Sequence, residues 1–319
     1  MFQKSLIDNP MLEIKSPRID EVRSSILDEQ AITLKVLRLD EIHPLVTGSK
    51  WFKLKLNISY VQEKGITSIL SFGGAYSNHI LALAVIGKML GIETIGIIRG
   101  ELVEPLNPVL KFAREQGMIL RGMDRSSYRQ KHKAWLIKKL RLRFGDFYLL
   151  PEGGSNELAV KGCETLAQFI PKVITQRGLC VALPCGTGAT MAGLIRGLAC
   201  CQRVTVLGFS VLKAEGYLAT EVAKWTRATA CTELPAWQVI DDYHCGGYAK
   251  SNAELSAFME CWKTDSNIPL EPVYTGKMFY GLFKLIEAGY YREGTEILAI
   301  HTGGHLKTPT TRLKYKYKQ

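Results

Sequence analysis

The most informative stretch of the chain is Cys180-Val-Ala-Leu-Pro-Cys-Gly-Thr-Gly-Ala-Thr190. An apolar run ends in a loop with two glycines and two threonines, and a helical pattern begins directly after it. Glycines let backbone N–H groups converge on an anion, and threonine hydroxyls and a helix start complete a phosphate cradle. The stretch therefore predicts a buried strand, a phosphate-binding loop and a helix, in that order.

The same alternation of apolar runs and helical patterns continues through the 319 residues. It predicts an α/β protein with mostly parallel sheets, whose ligands bind where strands end at their carboxyl side. Strands are predicted at 32–39, 67–73, 94–100, 147–153, 180–186, 203–210 and 296–304. Helices are predicted at 50–64, 78–91, 107–117, 157–176 and 190–199, with another that begins near Met278.

Composition excludes several classes of protein. Hydrophobic residues make up 46% and charged residues 22%, as in a globular chain rather than a disordered one. No apolar run reaches 18 residues and the first residues lack an apolar signal segment, so we expect neither a membrane span nor a membrane partner. Eight cysteines without a C-x-x-C pair predict a reduced, cytoplasmic protein that holds no metal.

The net charge of +11 could indicate an acidic partner, such as nucleic acid or membrane lipid. Residues 125–143 hold eight Lys and Arg and no acid, and the tail at 312–319 is also basic. Aromatic residues do not interleave with these charges as a single-strand binder requires, and no nucleic-acid-binding motif accompanies them. A solvated helix face is favoured, and nucleic acid is not the expected partner.

A nucleotide-binding oxidoreductase is a second alternative, because Gly186, Gly188 and Gly193 imitate a dinucleotide fingerprint. That motif requires an acid at the end of the next strand, and this strand ends in Ser210 without one. A single phosphate fits the loop better than a dinucleotide. A plain tight turn, with glycine for close packing, remains an open alternative.

Four other loops carry candidate chemistry. Ser77 and Asn78 begin a helix, where they can cap it or, with His79, hold a carboxylate and move protons. Lys50 follows a Gly-Ser turn at another helix start, a position that disfavours a cation and lowers a lysine pKa toward imine formation. Two tyrosines could bind a carboxylate or pass a proton, or could be packed aromatics; they are Tyr248 and Tyr274.

Taken together and in order, these segments resemble a known family. The motifs are Gly48-Ser-Lys-Trp-Phe-Lys-Leu-Lys55, Gly73-Gly-Ala-Tyr-Ser-Asn-His79, Leu150-Pro-Glu-Gly-Gly-Ser-Asn156, Cys185-Gly-Thr-Gly-Ala-Thr190, Pro272-Val-Tyr-Thr-Gly-Lys277 and His301-Thr-Gly-Gly304. They are similar to those of the 1-aminocyclopropane-1-carboxylate deaminase and D-cysteine desulfhydrase family, whose members use pyridoxal 5′-phosphate. The resemblance runs from about His43 to Gly304 and omits the first 40 residues and the basic tail.

The resemblance implies pyridoxal-phosphate fold type II, the tryptophan synthase β-like fold, with two open, twisted, mostly parallel sheets flanked by helices. We expect residues 1–47 and 161–319 to form a large cofactor-binding domain and residues 48–160 a small one, with the active site in the cleft between them. It also implies a homodimer that acts on a small amino acid.

The family further implies a role for each matching residue. Lys50 corresponds to the Schiff-base lysine that also moves the Cα proton. Ser77 is a candidate acid or base. The residues expected to bind the cofactor are Lys50, Lys53, Asn78, Cys185, Gly186, Thr187, Gly188, Ala189, Thr190 and Thr275. Those expected to bind the substrate are Ser77, Asn78, His79, Tyr248 and Tyr274, and both tyrosines are also expected to be catalytic.

Two positions depart from the family pattern. Ser49 stands where the family usually has Asn, and Thr275 stands where the deaminases resemble one another in having Glu. A hydroxyl facing the pyridine nitrogen leaves that nitrogen largely neutral, which is sufficient for eliminating a good β-leaving group. Thr275 therefore favours a D-cysteine desulfhydrase that forms pyruvate, ammonia and sulfide. The alternatives are an aminocyclopropane carboxylate deaminase and another D-amino-acid ammonia-lyase.

Overall fold

A computed structural model of the protein describes residues 12–46, 48–171, 178–227 and 233–304. It divides into two compact units. The first unit includes residues 53–158, and the second includes residues 15–52 and 159–304 without the gaps named above. The predicted breaks at 47/48 and 160/161 lie close to these limits, and the predicted domain assignment stays a prediction. The basic tail at 312–319 lies outside the described residues.

The strands form two sheets. They are β1 Ile19–Val22, β2 Thr33–Arg38, β3 Ser68–Gly73, β4 Glu93–Arg99, β5 Ile119–Met123, β6 Tyr148–Leu150, β7 Leu179–Cys185, β8 Val204–Ser210, β9 Ala236–Ile240 and β10 Glu296–His301. The first unit holds a parallel four-stranded sheet in the order β5-β4-β3-β6. The second holds a six-stranded sheet in the order β1-β2-β10-β7-β8-β9, in which β1 alone is antiparallel among the strands described.

Helices follow most strands, as the sequence pattern predicts. They are α1 Ser25–Glu29, α2 Ser49–Glu63, α3 Asn78–Leu90, α4 Pro108–Glu115, α5 Arg125–Arg129, α6 Ala134–Phe144, α7 Glu157–Glu164, α8 Ala189–Gly197, α9 Tyr217–Thr226, α10 Ala253–Asp265 and α11 Thr275–Glu287. The predicted α/β class with two mostly parallel sheets is confirmed. Among the residues that the structure describes, no helix combines the length and apolarity needed to cross a bilayer.

The central strands were predictable because they are buried on both faces. All residues of β3 and β7 are buried, and such strands read as continuous apolar runs. The sequence prediction missed β1, β5 and β9, which are edge strands with partly exposed residues and no continuous apolar run. Edge strands of this kind carry a weaker sequence signal than central ones.

Four predicted boundaries were wrong by three residues or more. The strand predicted at 296–304 ends at His301. The strand predicted at 147–153 is limited to β6, because Pro151 has no N–H to continue the ladder. The helix predicted at 157–176 ends as α7 at Glu164 and continues as a 3-10 turn, Thr165–Phe169, shortly before Pro171. The helix predicted to begin near Met278 begins three residues earlier, at Thr275, which places the candidate Thr275 in its first turn.

Candidate active site

The turn before Lys50 is pressed against the last strand of the six-stranded sheet. Gly48 has φ +65, and a Cβ atom there would lie 1.8 Å from the carbonyl oxygen of Thr302. The Gly48 N–H donates to the Leu39 carbonyl at 2.8 Å, and the Ser49 N–H donates to the Thr302 carbonyl at 3.1 Å. Glycine is required here because backbones meet closely, and the contacts fix Lys50 in the first turn of α2.

The Lys50 amine lies in a densely packed environment and keeps part of its surface accessible. Burial lowers its pKa, which Cys163 and Glu271 partly offset by their attraction for the ammonium form. The amine lies 3.4 Å from the Ser49 hydroxyl and 5.9 Å from the centre of the Tyr274 ring. The structure thus provides a lysine whose neutral, nucleophilic form is favoured relative to a solvated lysine.

The glycine loop after β7 ends in an uncapped helix. The residue that precedes α8 is Gly188, which has φ +78 and no side chain to accept a hydrogen bond from the helix start. Tyr274 packs over the loop, because a Cβ atom on Gly186 would lie 3.1 Å from its ring carbon Cε1. A helix N-terminus without its own acceptor suits an anion such as a phosphate.

Gly193, which imitates the dinucleotide fingerprint, has a packing role. A Cβ atom there would lie 2.4 Å from the Val160 carbonyl oxygen and 2.5 Å from Cys163 Cβ, so it allows α8 to pack closely on α7. This contact accounts for the glycine without a dinucleotide.

Glu271, to which the sequence analysis assigned no role, organises the start of α11. Its carboxylate is buried and accepts hydrogen bonds from the backbone N–H groups of Val273, Tyr274 and Thr275, at 2.8, 2.6 and 2.7 Å. Burial raises its pKa, and the three N–H bonds oppose that rise. An acid four residues before a helix residue is a signal that the sequence analysis could have interpreted as a cap.

Thr275 is fully buried beside this carboxylate. The Glu271 N–H donates to the Thr275 hydroxyl oxygen at 3.0 Å, and the Glu271 carboxylate oxygen lies 3.4 Å from that hydroxyl. Thr275, which was predicted to face a pyridine nitrogen, therefore has a neutral hydroxyl, and the Glu271 carboxylate lies next to that hydroxyl.

A buried lysine, Lys277, holds the loop that carries Tyr248. Its ammonium donates to the Gly247 carbonyl at 2.7 Å, and the ring of the neighbouring Tyr248 lies edge-on to Tyr274 with their centres 6.0 Å apart. Sequence could not distinguish Lys277 from the many solvated lysines. Within the second unit, Tyr274 is the common neighbour of Lys50, Gly186 and Tyr248.

An ion-pair cluster supports the segment before Glu271. Arg38 is buried and donates to Asp40 at 2.7 and 2.9 Å, and Asp40 lies 3.2 Å from Nδ1 of His301. The other imidazole nitrogen, Nε2, lies 2.8 Å from the Pro269 carbonyl oxygen. Burial lowers the pKa of His301, which favours a neutral ring. The ends of β2 and β10 are thereby tied to the 269–275 segment.

The remaining predicted site residues belong to the first unit. Ser77 caps α3, because its hydroxyl accepts the N–H of Ile80 at 3.3 Å, and Asn78 is partly exposed beside it. His79 is buried, with Nε2 at 2.8 Å from the Ser71 hydroxyl. Lys53 is buried and donates to the Ser155 hydroxyl at 2.8 Å. Their binding roles stay predictions. Among the described residues, no cluster of three or more His, Cys, Asp or Glu could hold a metal ion.

Comparison with known proteins identifies the chemistry. The model of the family described as "Pyridoxal-phosphate dependent enzyme" matches residues 27–303. A Pyrococcus horikoshii protein with the provisional name 1-aminocyclopropane-1-carboxylate deaminase is 27% identical over 270 residues, 81% of this chain and 80% of its own. A D-cysteine desulfhydrase from Serratia proteamaculans is 24% identical over 324 residues, 95% and 96% of the two chains.

The similarity extends to a solved structure. The crystal structure of an aminocyclopropane carboxylate deaminase homologue superposes with a TM-score of 0.80 at 25% identity, covering 98% of this chain and 96% of that one.

The residues of the second unit fit pyridoxal phosphate. The glycine-lined start of α8 suits its phosphate, and the Lys50 amine, whose pKa is lowered, suits its aldehyde. The predicted cofactor is confirmed, and so is the predicted enzyme class. The chain is a member of the pyridoxal-phosphate-dependent enzyme family with fold type II, in the group that includes aminocyclopropane carboxylate deaminases and D-cysteine desulfhydrases.

Proposed function

We propose that this enzyme is a lyase that eliminates the β-substituent of a small D-amino acid, with D-cysteine as the preferred substrate. The net reaction converts D-cysteine and water into pyruvate, ammonia and hydrogen sulfide. The relative named D-cysteine desulfhydrase supports this class, and its alignment extends over 95% of the chain.

The observation that carries the proposal is the hydroxyl at Thr275. It is fully buried at the start of α11, and the carboxylate beside it, Glu271, is bonded to three backbone N–H groups. A carboxylate in place of this hydroxyl would protonate the pyridine nitrogen and favour ring opening. A neutral hydroxyl is sufficient when the β-group leaves easily, as a thiol does.

Lys50 supplies the base in this proposal. Pyridoxal phosphate, when bound, withdraws electrons from the substrate Cα, so that its proton becomes removable. Burial lowers the pKa of Lys50, which favours the neutral amine relative to a solvated lysine, and a neutral amine can accept the Cα proton. Ser49, 3.4 Å from this amine, orients it.

The other assignments follow the family resemblance. Thr187 and Thr190 hold the phosphate with the backbone of the 185–190 loop, and Lys53 supports it. Asn78 binds the cofactor ring oxygen, and Ser77 and His79 hold the substrate carboxylate. Tyr248 and Tyr274 transfer protons to the leaving sulfur. We also propose a cytoplasmic homodimer; seven cysteines are free thiols in the described part of the chain, which agrees with a reducing compartment.

A substrate panel tests the proposal. Ammonia release is measured with D-cysteine, L-cysteine and 1-aminocyclopropane-1-carboxylate, and sulfide release is measured in parallel with the two cysteines. We expect the highest kcat/KM with D-cysteine and no turnover by Lys50→Ala. Faster turnover of the cyclopropane substrate would overturn the proposal and favour a deaminase.

Replacing Thr275 tests the reason for the preference. Thr275→Glu should lower kcat/KM for D-cysteine relative to the cyclopropane acid, whereas Thr275→Ser, which keeps a hydroxyl, should leave the ratio near that of the wild type. An unchanged ratio in Thr275→Glu would show that the pyridine environment does not set the specificity.

A further inference from the structure

Helix α6 has an apolar strip on its solvent side. At 100° per residue, Leu136 and Leu140 share the inward side, where both are buried in the core of the first unit. Trp135 and Leu142 lie on the opposite side and are 52% and 82% exposed. Two large apolar side chains, seven residues apart on one strip of the helix, thus expose more than half of their surface to solvent.

Cations surround this strip. Lys138 and Lys139 flank it on the same outward side, and both are exposed. The exposed cations between residues 125 and 143 that have no ion-pair partner in the described part of the chain are Arg125, Arg129, Lys133, Lys138, Lys139 and Arg143. Lys131 and Arg141 are paired, with Glu152 and Asp146. We define the outer face of α6 as Trp135, Lys138, Lys139 and Leu142.

We propose that the outer face of α6 docks on the surface of a membrane rich in anionic lipids. Lysines beside an apolar strip place their ammonium groups among lipid headgroups, while Trp and Leu enter the boundary between headgroups and acyl chains. The charge of the face is complementary to that of an anionic leaflet. From the sequence, a solvated helix face and no membrane partner were expected; the proposed docking differs from that expectation, and it requires no spanning segment.

Three other occupants fit the face less well. A second copy related by a two-fold axis through this face would bring like charges together. A nucleic acid would pair with the cations but would leave Leu142 in water, and a single exposed aromatic on the helix offers little stacking. An acidic protein would need a groove on its surface that is complementary to the outer face of α6. A lipid surface accommodates the cations and both apolar side chains together.

Vesicle binding by the whole enzyme tests the proposal. Binding is measured by co-sedimentation with phosphatidylcholine vesicles that contain about one third phosphatidylserine, and with phosphatidylcholine vesicles alone. We expect binding to the anionic vesicles that weakens as salt increases. The fluorescence of Trp135, isolated by comparison with Trp135→Phe, should shift to shorter wavelength on binding. Equal or no binding to the two vesicles would overturn the proposal.

Matched charge variants locate the surface. Lys138→Glu/Lys139→Glu should weaken binding about 30-fold or more, since each cation near an anionic leaflet contributes about 1 kcal/mol. Lys88→Glu/Lys111→Glu changes the net charge equally on exposed positions of α3 and α4, and should weaken binding far less. Equal losses in the two variants would indicate attraction by net charge alone and would refute the assignment to α6.

The apolar strip distinguishes a membrane from the other partners. Leu142→Asn, at a position 82% exposed, should fold normally and weaken vesicle binding about five-fold at unchanged salt dependence. If the enzyme binds a single-stranded RNA oligonucleotide tightly and Leu142→Asn leaves that binding intact, the membrane proposal is overturned and nucleic acid is the partner of this face. If the enzyme self-associates in sedimentation and Leu142→Asn abolishes that association, the proposal is also overturned and the partner is a second copy of the chain.

Discussion

The helices α8 and α11 begin in the same unit, yet their N-termini are satisfied in opposite ways. The N–H groups at the start of α11 are bonded to the Glu271 carboxylate, a group of the chain itself. At the start of α8 the cap residue is Gly188, which has no side chain to supply an acceptor. Each terminus favours an anion. A helix start whose N–H groups already bind a carboxylate of the chain has a structural role. A helix start without such a carboxylate can bind an external phosphate.

Removing the internal anion should have the largest effect. Glu271→Ala leaves three N–H groups of a buried corner without their acceptor and should lower the free energy of unfolding by about 3 kcal/mol or more. Glu271→Gln keeps an acceptor oxygen and should lose less. Denaturant unfolding of the two variants measures the difference. A loss in Glu271→Ala below about 1 kcal/mol would mean that water replaces the carboxylate readily.

Substituting the uncapped terminus should have a smaller effect on stability. Gly188→Ala should lower the free energy of unfolding by about 2 kcal/mol, because φ is +78 and the new Cβ would lie 3.1 Å from Val222 Cγ2. Gly216→Ala is the matched control: Gly216 also caps a helix, α9, with φ +68, but a Cβ atom added there would meet no other atom of the described residues within 4 Å.

The two glycine variants should also differ in cofactor affinity. Titration with pyridoxal phosphate should show weaker binding by Gly188→Ala and unchanged binding by Gly216→Ala. If the two variants bind pyridoxal phosphate with equal affinity, the start of α8 does not bind the phosphate.

The pH dependence of stability should report the amine between these two helix starts. Burial lowers the pKa of Lys50 in the folded protein, so the unfolded chain binds more protons between the lowered pKa and the ordinary lysine pKa. In this window the unfolding free energy of the cofactor-free protein rises with pH. Below the folded pKa, Lys50 lowers the unfolding free energy by a constant amount relative to its value above the ordinary lysine pKa. Lys50→Met should reduce this rise. Parallel curves for the two proteins would contradict a lowered pKa.

The smallest effect is expected at Ser77, which caps α3 in the first unit. Ser77→Ala removes the hydrogen bond to the Ile80 N–H and should lower the unfolding free energy by about 1 kcal/mol. Ser77→Asp keeps a capping acceptor and should restore the stability. If Ser77 also binds substrate, both variants should lose activity, so equal activity of Ser77→Asp and the wild type would restrict this residue to capping.

Much of the fold was predictable from sequence, because central parallel strands and glycine loops have direct signatures. The apolar run of β7 and the glycines after it predicted the strand, the loop and α8 correctly. The edge strands β1 and β9 were missed, because their burial depends on a neighbouring strand on one side only. Lys277 could not be singled out because its partner, the Gly247 carbonyl, lies 30 residues away in the chain. Glu271 bonds N–H groups a few residues ahead of it, and that local signal was not used.

Residue type and spacing were enough to establish the α/β class, the glycine loop after β7, the lysine at the start of α2 and the family to which these motifs belong. Such features act locally along the chain, so a sequence pattern records them. Three others emerge only from the folded chain: Lys277 holds the Gly247 carbonyl, Asp40 joins Arg38 to His301, and Trp135 and Leu142 face solvent. Burial and distant hydrogen bonds arise from packing between elements far apart in sequence, so no local pattern encodes them.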